Sequence, residues 1–252
     1  MMNVQALPTC ARWQPALSRH ALKLESDERW STFQELQDLL QYSGRPLGDS
    51  EAGLFQRRRL KAGQSALTMG QAFDGLYVVR LGTLKTSITQ EDGGMHVLTF
   101  PMKGNMLGFD GIYKNRYMSD VVALTDCDLI RIPASELFTP GRENNHLEHM
   151  AYWAGSREII EEQDAYSLTR SVKAEARVAR FLHNMSERFA AMGWSPNRFI
   201  LPMTRRDIGH HLSVTVETVS RAFSALVHEG IISVDFREIN ILSRNALRNF
   251  ER

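Results

Sequence analysis

The chain has 252 residues, of which 43% are hydrophobic and 23% charged, with a formal net charge of +1. This is ordinary globular usage, which excludes wholesale disorder and collagen-like or coiled-coil architectures and predicts one or two domains. There is no run of about 18 apolar residues to span a membrane. The opening MMNVQALPTCARWQP lacks the basic-then-apolar pattern of a secretory leader, and two cysteines, Cys10 and Cys127, cannot build a disulfide framework. A cytoplasmic protein is expected, with no membrane partner. From Ser171 onward twelve Lys/Arg oppose eight Asp/Glu, whereas the first 170 residues carry eighteen against twenty-one. A basic C-terminal third is compatible with a nucleic-acid partner at that end.

Residues 1–53 read as a polar extension with one helix, Arg29 to Leu40, after Ser26 and Asp27 as possible caps. Trp30, Phe33, Leu36, Leu39 and Leu40 recur there at helical spacing, a stripe expected to be buried against the next domain. SGRPLGDSEAG, from Ser43 to Gly53, reads as loop. In residues 54–140 the period changes to two. LYVVRLGTLKTSITQEDGGMHVLTF has β-branched and aromatic runs broken by Gly82 and by Asp92-Gly93-Gly94, and further runs follow at Tyr117–Leu124 and Leu129–Ile132. Many short strands with glycine turns predict an antiparallel β-roll of the jelly-roll kind, within an α+β chain.

Residues 141–170 hold a long helix, Asn144 to Leu168, with Leu147, Met150, Ala154, Ile159, Ile160 and Leu168 among its apolar positions. Leu147, Met150, Ala154 and Ile159 are the expected dimerisation residues, although the spacing is not a clean heptad. Residues 171–252 form the last unit. Ser171 offers a cap for a helix with Val178, Leu182, Met185 and Phe189 as its core stripe; Gly193 and Pro196 stop it, and FILPM gives a short strand.

The most informative segment is MTRRDIGHHLSVTVETVSRAFSALVHEGIISV, residues 203–234. Thr204 with Asp207 makes a capping box for a short helix, Arg205 to Leu212, with Ile208 and Leu212 as its buried face and Gly209 permitting close approach. Ser213-Val214 is a turn. Thr215 caps a second helix whose core side is Val216, Val219, Phe223, Leu226 and Val227, ended by Gly230, and IISVDFREINIL alternates like a two-stranded wing. Short helix, tight turn and longer capped helix form the helix-turn-helix arrangement, whose second helix lies in the major groove. Glu217, Thr218, Ser220 and Arg221 fall opposite the core stripe, near the end that reaches bases. Arginine pairs with guanine, glutamate accepts from cytosine N4, and serine serves either way. The bland alternative is a solvated helical hairpin. Cap, turn, polar face and wing agree on the reading head.

TRRDIGHHLSVTVETVSR closely resembles the DNA-reading motif of the CRP/FNR family of bacterial transcription regulators, the FNR branch in particular. LFQRRRLKAGQSALTMGQAFDGLYVVRLGTLKTSI and GNMLGFDGIY resemble that family's sensory β-roll, and EARVARFLHNMSERFAAMGWSPNRFILPMTRRDIG the stretch leading into its reading head. The resemblance covers roughly Leu54 to Ser243. It implies a β-roll, a dimerisation helix and a winged helix-turn-helix, acting as a homodimer on palindromic promoter DNA and on RNA polymerase, usually as an activator. Glu217, Ser220 and Arg221 match the E-x-x-S-R that reads a TTGAT half-site, so a TTGAT-N4-ATCAA-like palindrome is implied. Val216, where the CRP branch has arginine, favours that half-site. Thr204, Arg205, Arg206, Thr215 and Thr218 are the expected backbone contacts. Ser213 departs from the family's usual glycine, and its turn is expected to carry slight strain.

The family's four-cysteine iron–sulfur site does not carry over, because Cys10 and Cys127 are two thiolates where four are needed. Cyclic AMP is not expected: the family's Gly-Glu pair reads Gly108-Phe109, and near its Arg-Ser pair stands Tyr117-Met118-Ser119, with Arg116 read as a surface arginine. His96, His146, His149, His210 and His211 form no ligand set with the cysteines, so no metal or cofactor is predicted, although haem is left open. His210 and His211 are candidates for phosphate contact. No catalytic constellation is present, and the chain is not expected to be an enzyme. A small-molecule-binding or enzymatic β-roll of the cupin type is the alternative, but its metal-binding histidine and glutamate pattern is missing from residues 54–133. A purely structural role is disfavoured by the intact base-reading face.

Overall fold

A computed structural model describes residues 29–43, 54–89, 93–137, 146–170 and 173–250, with side chains of the long helix followed as far as Gln163. Ser26, Asp27, Cys10, Ser171 and most of the 43–53 loop lie outside the described residues.

The first element is a strand. β1 (Trp30–Thr32) pairs antiparallel with β2 (Leu54–Leu60) and leads into α1 (Phe33–Leu40), so the expected helix begins four residues late. The Thr32 hydroxyl caps α1 by accepting from the Glu35 N–H. Phe33, Leu36 and Leu40 are buried as expected, whereas Trp30 stays on the strand and partly exposed. Glu35 pairs with Arg57 at 3.2 Å and Arg80 at 2.5 Å, and Arg80 also reaches Asp128 at 3.2 Å, which ties the N-terminal segment to the sheet behind it.

The β-roll comprises β3 (Ser65–Leu67), β4 (Gly75–Leu81), β5 (Leu84–Thr89), β6 (Met95–Thr99), β7 (Met106–Leu107), β8 (Asp120–Ala123) and β9 (Cys127–Pro133), together with β1 and β2. They form two antiparallel sheets, ordered β1-β2-β9-β4-β7 and β3-β8-β5-β6. Val79, Leu84, Val121 and Leu129 fill the space between them, and Leu76, Val78, Ile130 and Ile132 face outward to a second core. The short helix α2 (Ala134–Leu137) and the long helix α3 (His146–Arg170) cover that outer face.

The packing of α3 corrects the expected dimer seam. Leu147, Met150 and Ala154 are buried against α1, α2 and the sheet of the same chain, so they offer nothing to a second copy. The sheet's outer face needed an apolar cover, and this stripe supplies it. Of the four expected residues only Ile159 is free, 57% exposed, beside Ile160 at 56% and Tyr152.

The C-terminal unit contains α4 (Ala174–Ala191), β10 (Arg198–Ile200), α5 (Arg205–Leu212), α6 (Val216–His228), β11 (Ile232–Asp235), β12 (Glu238–Ile241) and α7 (Arg244–Arg248), the last not anticipated from sequence. Lys173 stands at the start of α4 without a side-chain cap. The expected stripe Val178, Leu182, Met185 and Phe189 is buried. Among the described residues this unit docks on the β-roll through a shared apolar core and three sets of polar contacts. Lys85 on β5 pairs with Asp207 at 2.7 Å. The His211 imidazole Nδ1 lies 3.2 Å from the Val97 carbonyl on β6, edge-on to the rings of Phe100 and Phe181. Arg188 donates to the Phe100 carbonyl at 2.9 Å and to Asn105 Oδ1 at 3.0 Å, while Asn105 Nδ2 donates to Glu158 on α3 at 2.8 Å.

Candidate nucleic-acid interface

The reading head is assembled by local rules. The Thr204 hydroxyl accepts from the Asp207 N–H at 3.1 Å, and the Asp207 carboxylate accepts from the Thr204 N–H at 2.9 Å, the reciprocal capping box. A Cβ at Gly209 would stand 2.8 Å from the Val214 carbonyl oxygen, so only glycine lets the turn cross α5 this closely. Ser213 takes the left-handed conformation at φ 54°, as the departure from glycine required. The Thr215 hydroxyl accepts from the Thr218 N–H at 3.2 Å and starts α6. Val219, Ala222, Phe223 and Leu226 are buried in the same core as α4, so α6 stands on a rigid base.

Its outer face presents Glu217, Ser220 and Arg221, all exposed. The Ser220 hydroxyl donates to the Val216 carbonyl at 2.9 Å, and its lone pairs are left to accept. The Glu217 carboxyl is held below the usual carboxylate range by its own backbone N–H and the Thr215 hydroxyl, helped by the Arg221 charge, so it is anionic at neutral pH. Arg221 donates to the Thr218 hydroxyl at 3.2 Å. Thr218 is therefore misplaced by the sequence reading: it is buried, and its hydroxyl serves Arg221 and Thr215 instead of a phosphate. Val227 errs the other way. Expected in the core, it is largely exposed on the wall of a cleft.

That cleft, of about 580 Å³, runs between α6 and the wing strand β11 and is lined by Arg205, Ser220, Phe223, Ser224, Val227, His228 and Val234. Arg205 stacks its guanidinium 3.0 Å over the Phe223 ring, and burial lowers its pKa to about 10, still a cation at neutral pH. Its buried Nη1 has no hydrogen-bond partner. Arg206 and Thr204 are exposed at the same end of α5, and Thr215 is exposed at the start of α6. His211 is not available for phosphate, because it is buried in the contact with β6; burial holds its pKa below the ordinary histidine value.

Near the place compared above with the family's Arg-Ser pair, Ser119 is engaged within the chain itself. The Asp110 carboxylate accepts from the Ser119 hydroxyl at 2.6 Å and the Met118 N–H at 3.2 Å. Phe109 lies against α3 at Gly155, where a Cβ would be 3.3 Å from its ring. Arg116 points to the Gly70 carbonyl at 3.0 Å, a surface arginine as expected. Among the described residues no group of three or more His, Cys, Asp or Glu could hold a metal ion, and no helix is long and apolar enough to cross a membrane. The Cys127 thiol is buried, with burial raising its pKa, and it donates to the Thr125 and Thr83 carbonyls.

Comparison with known proteins agrees with both halves. Residues 57–139 match the cyclic nucleotide-binding domain and residues 176–250 the Crp-like helix-turn-helix domain. The transcriptional regulatory protein btr of Bordetella pertussis is 32% identical over 193 residues, covering 77% of this chain and 80% of that one. The fumarate and nitrate reduction regulatory protein of Escherichia coli K12 is 33% identical over 192 residues, covering 76% and 77%. The structure of FixK2 from Bradyrhizobium japonicum superposes with a TM-score of 0.69 at 25% identity, covering 78% of this chain and 96% of that one. With a β-roll, a long connecting helix and a capped helix-turn-helix in that order, and with these relatives, the chain belongs to the CRP/FNR family of transcription regulators, which are not enzymes.

Proposed function

We propose that the protein acts in the cytoplasm as a homodimer on a TTGAT-N4-ATCAA-like promoter palindrome, with Glu217, Ser220 and Arg221 reading bases in each half-site. The observation that carries this reading is the outer face of α6, where these three side chains are exposed together on a helix capped by Thr215 and anchored by Val219, Phe223 and Leu226. Thr204, Arg206 and Thr215 are left to meet the sugar–phosphate chain, with Arg205 as the cation of the cleft beside them. The exposed pair Ile159 and Ile160 supports the dimer: two adjacent isoleucines more than half exposed on one helix favour burial against a second copy. The engagement of Ser119 by Asp110 and the count of only two cysteines support a regulator that needs neither cyclic nucleotide nor iron–sulfur cluster. Contact with RNA polymerase and activation follow the family.

The test is a binding titration of the full chain and its Arg221→Ala variant on the palindrome and on a version with the G·C pair changed. The variant loses about 1–3 kcal/mol per half-site, mostly as lost preference for G·C. Full retention of that preference refutes the assignment. A monomeric mass on DNA refutes the dimer.

A further inference from the structure

The wing closes in a two-residue turn, Phe236-Arg237, between the paired Asp235 and Glu238. Phe236 adopts φ 53°, a backbone conformation that glycine takes freely and side chains with a Cβ avoid. Its ring is also 90% exposed. The turn does not need that ring. Ile232, Ile239 and Ile241 anchor the wing from below, Leu201 N–H donates to the Arg237 carbonyl at 2.9 Å, and Arg237 Nη1 donates to the Pro202 carbonyl at 3.2 Å. An ion pair between Arg198 and Glu238 braces the strands beside it. The hairpin is therefore held rigid on both sides while its apex carries a strained, bare aromatic side chain. Two unfavourable choices at one position, with a neighbouring guanidinium 5.8 Å away as the ring's contact, point to a partner outside the fold.

The position of the wing identifies that partner. Val234 of β11 faces Ser220 and Ser224 of α6 across one cleft, so the wing stands directly beside the reading helix. A helix lying in the major groove is bordered by a phosphate ridge and then by a minor groove. The element next to it meets that groove. The Arg237 guanidinium lies 5.8 Å from the Phe236 ring, which puts a cation beside the apolar tip, suited to the negative potential of a narrow minor groove. We propose that Phe236 is a minor-groove wedge, entering the base stack just outside each half-site and favouring the easily unstacked pyrimidine–purine steps, with Arg237 steadying it against the groove edge. This rests on α6 being the base reader, and it adds a preference at base pairs that α6 does not touch.

The experiment uses the full chain on two duplexes, one extending the palindrome by ten base pairs on each side with a TA step in the flank, the other cut flush with the palindrome. Affinity is read by anisotropy and bending by energy transfer between the duplex ends. Phe236→Gly suits the backbone of the turn and is expected to melt no lower than the parent protein. On the extended duplex it binds about 5- to 150-fold more weakly per half-site, the range of one aromatic–base stack, and bends the DNA less. On the flush duplex it matches the parent, and Phe236→Leu falls between the two. Equal affinities of parent and Phe236→Gly on the extended duplex overturn the proposal. So does the same loss on both duplexes, or a lower melting temperature, since either makes the ring a structural element. A parent protein that fails to prefer the palindrome overturns the base-reading assignment and the wedge together, whereas the other failures overturn the wedge alone.

Discussion

Replacing Lys85 by methionine removes a charge from the contact between the β-roll and the reading head while keeping most of the side chain's apolar length. Lys85 and Asp207 meet at 2.7 Å with only 16% and 10% of their side chains exposed. At that separation and an effective dielectric constant of about 20, the gross attraction is about 6 kcal/mol. Desolvating the two ions cancels several kcal/mol of this. The carboxylate is not orphaned by the change, because the Thr204 N–H and hydroxyl still donate to it at 2.9 and 2.6 Å. The expected loss is therefore about 1–3 kcal/mol, below the full cost of an abandoned buried charge. Asp207 sits in the first turn of α5, so the loss is read locally: amide hydrogen exchange of α5 accelerates about 5- to 150-fold, while the β4–β9 amides are unchanged. In an Asp207→Asn background, where the ion pair is already absent, Lys85→Met has little further effect. Unchanged exchange in α5, or an equal effect in both backgrounds, refutes the view that this pair holds the head in place.

The remaining predictions concern the turn, the long helix and acid. Ser213→Gly relieves the left-handed φ of 54° and raises stability by about 1 kcal/mol, read as a higher melting temperature, whereas Gly209→Ala drives a Cβ into the Val214 carbonyl and lowers it by about 1–3 kcal/mol. Met150→Ala, at a fully buried site, costs about 2–5 kcal/mol of folding stability; Ile159→Ala, at an exposed one, leaves the protomer's stability nearly unchanged and shifts sedimentation toward the monomer. Burial keeps His211 neutral, with smaller contributions in the same direction from His96 and Arg188, against hydrogen bonds to the backbone of Val97 and Leu98 that act the other way. Its contribution is complete above the ordinary value of 6.5 and is lost as pH falls through the depressed folded value, so the protection factors of α5 and β6, corrected for the intrinsic pH dependence of exchange, fall from pH 7 to 5. His211→Phe removes that pH dependence.

The parts of this fold that were legible in the sequence are those built by neighbours in the chain. Thr204 with Asp207, Thr215 before Val216, and Gly230 after His228 are local hydrogen-bond and backbone devices, and each stands where its spacing put it. The three-residue β1 was not legible, because it exists only through pairing with β2 more than twenty residues on. The stripe on α3 was correctly recognised as apolar but wrongly matched: helical spacing says that a face is buried and not what buries it. Thr218 and Val227 show the same limit on α6. Their helical angle was right for one cylinder, but the turn and the wing add walls that periodicity does not contain. Lys85 and Asp207, 122 residues apart, and the Arg188–Asn105–Glu158 chain carry no sequence signal at all, since their partners are chosen by the docking of two units.

The carboxylate of Asp110 on the Ser119 hydroxyl has a consequence for any free anion that would take its place. The two residues are nine positions apart on one chain, so the acid is a tethered ligand with an effective concentration of about millimolar or higher. A diffusing anion at micromolar concentration faces a competitor that never leaves, and it must gain about 4 kcal/mol elsewhere merely to draw level. The Asp110–Ser119 contact is thus favoured by covalent connectivity, before any free anion is counted. Removing that one side chain would vacate the place more readily than adding a free ligand.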